Sequence, residues 1–99
     1  MNKVEVKNKI VDLSKAQKEI EKIIIFGSFN KNDSPNDIDI AVIQNSSESY
    51  LNLALKYRKL IRIISKEIAV DIFPILEKNN NGFFTSEVAS GEVIYARGN

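Results

Sequence analysis

The stretch Ile23-Ile24-Ile25-Phe26-Gly27-Ser28, followed after eight polar-rich residues by Asp37-Ile38-Asp39-Ile40-Ala41-Val42-Ile43, decides how this chain folds. The first apolar run is short, β-branched and stopped by glycine, the profile of a buried strand. Phe29 to Asn36 carries the turn formers Asn30, Asn32, Asp33, Ser34, Pro35 and Asn36, and reads as a loop. Along the second run, period-2 alternation puts Asp37 and Asp39 on one face while Ile38, Ile40 and Val42 point to the other, toward a core. Two acids sharing a face repel each other unless a cation lies between them. Hard oxygen ligands of this kind suit Mg²⁺, which is usually held by one or two carboxylates together with substrate phosphates. The missing Cβ of Gly27 lets a phosphate approach the backbone, and the Ser28 hydroxyl adds a donor. The pairing reads as half of a metal-nucleotide site.

Working outward, Val6, Ile10, Leu13, Ala16 and Ile20 recur at intervals of three and four among charged residues, which predicts an amphipathic first helix. Ser46, Ser47, Glu48 and Ser49 offer N-cap chemistry for a long second helix whose apolar stripe is Tyr50, Leu53, Ala54, Tyr57, Leu60, Ile61, Ile64 and Ile68. On that stripe Tyr50 and Tyr57 are expected to pack in the core. Ala69 to Leu76 is a third strand containing Asp71, and Asn79 to Gly82 is a turn. Phe83 to Ala89 is expected to form a short closing helix ended at Ser90-Gly91, with Val93-Ile94-Tyr95 as a last packed segment. The expected architecture is α+β: a small mixed sheet of three to four strands with helices packed on one face, in one domain over residues 1–99.

Composition narrows the chemistry. With 99 residues the chain has room for one modest core and none for a large substrate-binding subdomain. Fourteen Lys and Arg against 13 Asp and Glu leave no overall field for nucleic acid or an anionic membrane, so direct nucleic-acid binding is not expected. There is no Cys and no His, which removes thiol nucleophiles, the usual zinc sites and imidazole catalysis. Any chemistry falls to carboxylates. The amino terminus lacks the apolar core of a signal peptide and no apolar run spans a bilayer, so a cytoplasmic protein is expected.

An unpaired acid inside an apolar strand is costly to bury, so Asp71 is expected to face a cleft or a cation; the bland alternative is an edge-strand acid facing solvent. If its strand lies beside that of Asp37, all three acids converge on one surface, where two Mg²⁺ ions could sit roughly 3.5–4 Å apart. Asp-x-Asp alone turns up by chance in roughly one chain of this size in four. Adding Gly-Ser at a suitable distance, with apolar runs around both pairs, lowers this to roughly one in a hundred.

The order strand, Gly-Ser, short loop, Asp-x-Asp on a strand, then a lone Asp on a later strand resembles the nucleotidyltransferase superfamily built on the DNA polymerase beta palm. The short length and the closing segment Phe83 to Tyr95 make the chain most similar to the minimal nucleotidyltransferases (MNT), antitoxins paired with HEPN ribonuclease toxins. That resemblance, over roughly Ile23 to Tyr95, implies transfer of AMP from ATP to a tyrosine hydroxyl of the cognate toxin. It implies that Gly27 and Ser28 bind triphosphate, that Asp37 and Asp39 bind metal, and that Asp71 completes the site and helps activate the acceptor. Family loops carry a small-Arg-Gly stretch where this chain has Phe29-Asn30-Lys31-Asn32. Lys31 is expected to replace the Arg as a phosphate ligand, as a point charge, and Asn32 to take the left-handed conformation of the Gly.

Two other functions stand beside this one. The chain could neutralise a toxin by covering it, with a vestigial site, or act on a small-molecule hydroxyl, as antibiotic nucleotidyltransferases do with the help of a second domain. The basic face of the long helix, Lys56, Arg58, Lys59, Arg62 and Lys66, is either a solvated surface or a docking surface for an acidic partner.

Overall fold

The computed structural model describes residues 1–79 and 85–98. Helix α1 (Lys3–Ser14) leads to strand β1 (Ile20–Phe26), a 3-10 turn (Gly27–Asn30) and strand β2 (Asp37–Gln44). Helices α2 (Tyr50–Leu60) and α3 (Arg62–Ser65) then cross to strand β3 (Ala69–Leu76), and helix α4 (Thr85–Ala89) precedes strand β4 (Glu92–Ala96). Among the described residues the strands form one sheet in the order β3-β2-β1-β4. β1 runs antiparallel to β2 and β4, while β2 and β3 run parallel, joined by the helical crossover that a parallel pair needs.

The two faces of the sheet have different jobs. On one, Ile23, Ile25, Ile38, Ile40, Val42 and Ile72 pack under Val6 and Ile10 of α1 and Leu53, Tyr57, Ile61 and Ile64 of the α2–α3 layer. On the other, a smaller group of Ile24, Phe26, Ala41 and Ile43, with Phe73, Ile75 and Val88, covers only part of the surface. Because β1 is apolar on both faces, Ile23 to Phe26 are all buried.

Three boundaries differ from expectation. α1 ends at Ser14, Ala16 is exposed, and Ile20 belongs to β1. No Gly or Pro marks that stop; instead Arg97, from the far end of the chain, donates to the carbonyls of Gln17 and Ile20 and satisfies the turn. The long second helix is capped by Ser49, whose hydroxyl accepts from the Asn52 N–H at 3.1 Å, but it breaks at Ile61 (φ −107°, ψ 26°). The β-branched run Ile61-Arg62-Ile63-Ile64 is a poor helix former, and the break lets both Ile61 and Ile64 reach the core while Ile63 stays exposed. Tyr50, placed on the apolar stripe by its spacing, opens α2 beyond the edge of the core and is 55% exposed. β3 occupies Ala69–Leu76, as expected; the expected last packed segment Val93-Ile94-Tyr95 is part of edge strand β4, where Ile94 and Tyr95 are half-buried and Val93 is exposed. Of the expected turn, residues 80–82 lie outside the described residues, as do Phe83 and Phe84 of the expected closing helix.

The Tyr57 hydroxyl donates to Glu19 at 2.8 Å, and Lys56 Nζ donates to the same carboxylate oxygen at 2.9 Å. Burial alone would raise the Glu19 carboxyl, yet hydrogen bonds from Lys56, its own backbone and Tyr57, with the Lys56 charge, hold it below its ordinary 4.5. Burial first, then the bond to Glu19 and its charge, push the Tyr57 hydroxyl well above its ordinary value. This fastens the loop before β1 to α2, and it takes Lys56 out of the basic face.

Candidate active site

β1 ends where Phe26 stands opposite Asp39. From there the chain turns at Gly27 in a left-handed conformation (φ 77°), the one positive φ among the described residues. A Cβ built on Gly27 would lie 2.5 Å from Asp39 Oδ2. Glycine is therefore needed here for two reasons, the backbone angle and the close approach of the Asp39 carboxylate. The turn that follows is tied down: Asn30 Nδ2 donates to the Ile25 carbonyl at 3.0 Å, and the N–H groups of Lys31 and Asn32 both donate to the Ser28 carbonyl at 3.0 Å. Phe29 is buried at 2% exposure and anchors the turn on the helix side of the sheet. Ser28 and Lys31 are exposed at the surface of the turn.

The parallel register of β2 and β3 sets Asp39 directly beside Asp71, with Asp37 beside Ala69. Neighbouring strands lie about 4.8 Å apart and alternate residues of a strand about 6.6 Å apart, so Asp39 is the middle member of the three. All three belong to the face that bears Ala41 and Phe73, opposite the helix layer. Asp37 and Asp39 are half-buried, whereas Asp71, on the edge strand, is exposed. Asp71 thus stands on the face of the other two acids and, from its edge strand, reaches solvent. Among the described residues, no three acidic side chains are gathered closely enough, as they stand, to hold a metal ion. Their chemistry fits a hard divalent cation, since the donors are all carboxylate oxygens and like charges in adjacent positions draw together only around a cation. The glycine that admits Asp39 to the end of β1 serves the same arrangement.

Other expected contributors sit elsewhere. Asn32 does not adopt a left-handed backbone, because glycine alone has positive φ among the described residues; the turn's 3-10 geometry, with its bonds to the Ser28 carbonyl, removes the need for one. Arg58, Lys59, Arg62 and Lys66 are exposed on the helix layer, on the far side of the sheet from the acids. Two lysines that sequence reading passed over do come near the turn. Lys3 and Lys7 place their ammonium groups 5.4 and 5.9 Å from the centre of the Phe29 ring. Their helical spacing marks them only as polar-face residues; the packing of α1 over the turn reveals the proximity. Among the described residues, no helix is long and apolar enough to cross a membrane.

Comparison with known proteins bears on the fold and the family. No curated protein matches the chain. A chain of the complex between tri-AMPylated Shewanella oneidensis HEPN toxin and MNT antitoxin is 21% identical, with a TM-score of 0.60 over 95% of this chain and 72% of that one. A chain of the toxin-antitoxin MntA-HepT is 20% identical, with a TM-score of 0.59 over 96% and 74%. A chain of a toxin-antitoxin with AMP-PNP is 21% identical, with a TM-score of 0.60 over 92% and 73%. At these identities the likeness establishes the fold. The family model described as polymerase beta, nucleotidyltransferase, matches residues 8–99, nearly the whole chain, and the chain belongs to that family.

Proposed function

We propose that this chain is an antitoxin of the minimal nucleotidyltransferase kind, transferring AMP from ATP to a tyrosine hydroxyl of a cognate HEPN ribonuclease toxin with Mg²⁺ as cofactor. The observation that carries the reading is the adjacency of Asp71 and Asp39 across β2 and β3, with Asp39 tucked against Gly27. Family membership supports nucleotidyl transfer. The likeness to complexes of an MNT antitoxin with a tri-AMPylated HEPN toxin, and to a toxin-antitoxin with AMP-PNP, supports the acceptor protein and the nucleotide.

In this reading Asp37 and Asp39 would hold the ion that accompanies the triphosphate, and Asp39 and Asp71 would hold a second. Bound Mg²⁺ would neutralise phosphate charge and favour the ionised acceptor. Ser28, with the backbone of the Gly27 turn, holds phosphate oxygens, and Lys31 adds a point charge. The tyrosine oxygen bonds to the α-phosphorus as the bond from that phosphorus to the bridging oxygen of the β-phosphate breaks. Pyrophosphate leaves with that electron pair. Asp71, exposed on its edge strand, receives the hydroxyl proton and passes it to solvent.

The test is to incubate the chain, the protein encoded beside it, Mg²⁺ and ATP labelled on the α-phosphate. Label is expected on the partner, and Asp39→Ala is expected to abolish it; no transfer, or undiminished transfer by the variant, overturns the reading. The absence of a ready-made three-acid cluster among the described residues favours a second reading, neutralisation by binding alone. An Asp37→Ala/Asp39→Ala chain that forms the complex and still protects cells would establish that second reading. One that forms the complex and fails to protect excludes it.

A further inference from the structure

Four contacts locate the start of α1 at the end of the sheet that carries the Gly27 turn and the acids. The Met1 ammonium pairs with Glu67, two residues before β3 begins, at 3.4 Å. Lys7 pairs at 2.6 Å with Glu92, the first residue of β4, which stands opposite Ile25 near the end of β1. Lys3 and Lys7 both lie over the ring of Phe29, which directly follows Ser28. Asp37 opens β2 at this same end, because β2 runs parallel to β3 and antiparallel to β1.

Not every cation gathered here is paired with a carboxylate. Met1 and Lys7 each have a carboxylate partner. Among the described residues, Lys3 has none, although it is half-buried and held at the ring face. Lys31 is likewise without a carboxylate partner among the described residues, at the exit of the same turn. Lys3 and Lys7, one helical turn apart, repel each other. Lys3 lies over Phe29 on the helix side of the turn, and the preceding residue, Ser28, is exposed; an ammonium group there, without a carboxylate partner among the described residues, is a place for an anion reaching the end of the sheet.

We infer that Lys3 is a polyphosphate ligand: from α1, it contacts the β- or γ-phosphate of the nucleotide bound at the Gly27-Ser28 turn. It supplies part of the cationic contact that the loop, with Lys31 alone, provides weakly. The Phe29 ring holds the side chain in place through a cation–π contact, so little rotamer freedom is lost on binding. The inference rests on the nucleotide-binding reading of the turn and adds a residue from a segment outside the acid and glycine motifs.

The experiment titrates the full chain, with Mg²⁺ present, using AMP-PNP and separately AMP. It compares the wild type with Lys3→Met, which keeps the apolar stem over Phe29, and Lys3→Arg, which keeps the charge. Loss of one exposed charge contact is worth up to about 1 kcal/mol, so Lys3→Met should weaken AMP-PNP binding roughly fivefold. AMP, which lacks the distal phosphates, should bind both chains equally, and Lys3→Arg should restore AMP-PNP affinity. Equal AMP-PNP affinity in wild type and Lys3→Met, or equal loss for AMP, overturns the inference while leaving the nucleotide site intact. No AMP-PNP binding by the wild type overturns both the inference and the nucleotide reading beneath it. Unchanged melting of Lys3→Met without ligand confirms that the comparison is between folded proteins.

Discussion

Replacing Gly27 by alanine should damage the fold and the acid site together, by separable amounts. At φ 77° an alanine occupies the left-handed region, which costs an L-residue roughly 1–2 kcal/mol. The new Cβ would also lie 2.5 Å from Asp39 Oδ2, so the carboxylate or the turn must move before the contact reaches even 3.0 Å. That displacement adds about 1 kcal/mol, the scale of an overpacked or off-rotamer side chain. The sum, about 2–3 kcal/mol, lowers the melting temperature of a domain of this size by roughly 8–24 °C. Chemical denaturation of the wild type, Gly27→Ala, Asp39→Ala and the double variant separates the two causes. With Asp39 removed, only the backbone cost of Gly27→Ala remains, giving a coupling of about 1 kcal/mol between the sites. A Gly27→Ala chain as stable as the wild type would refute the left-handed turn. An equal penalty in both backgrounds would refute the close approach of Asp39 to Gly27.

Asp71→Asn should reduce nucleotidyl transfer by about a hundredfold or more, since metal-assisted charge stabilisation is worth several kcal/mol. The same change should leave stability unchanged or slightly raised, because it removes a like charge beside Asp39; a fully active variant, or a clear loss of stability, contradicts the assignment. Chelation with EDTA should abolish transfer, and Mg²⁺ should restore it, measured with the same labelled nucleotide. Tyr57→Phe should cost about 1 kcal/mol of stability by urea denaturation, through loss of its hydrogen bond to Glu19. Because the folded-state pKa of Glu19 is depressed below 4.5, its stabilising contribution is full above that value. It disappears as pH falls through the folded pKa, so the wild-type advantage over Lys56→Met should shrink in acid. Ala41→Leu should destabilise by roughly 1–3 kcal/mol in the same assay, because Ala41 is fully buried among Phe26, Phe73 and their neighbours, whose rings meet at 5.7 Å. A neutral result would mean that this face is loosely packed.

Much of the fold was legible because its strands are short runs of β-branched residues between strong breakers. Gly27 ends β1, Asp37 opens β2 after six turn formers, and Ala69 to Leu76 is bounded by a helix and a polar segment. The helices were read less well. Ile20 follows the helical spacing of Ile10 and Leu13 yet belongs to β1, because short apolar repeats satisfy both periods until pairing with Gln44 decides. The end of α1 is held by Arg97, 83 residues after Ser14, and the break at Ile61 by two isoleucines that both seek the core. Local spacing carries no trace of either.

By itself, the sequence determined which groups can do chemistry: carboxylates at Asp37, Asp39 and Asp71, a Gly-Ser turn, and neither thiol nor imidazole. Alternation along one strand was enough to put Asp37 and Asp39 on a common face, since that geometry is local. Only the tertiary structure decided that β3 lies parallel to β2 in the register that sets Asp71 beside Asp39, that Asp39 closes against Gly27, and that Lys3 of α1 stands over the turn. These are contacts between segments far apart in the chain. They depend on which apolar faces bury one another, and no spacing within a single segment encodes that choice.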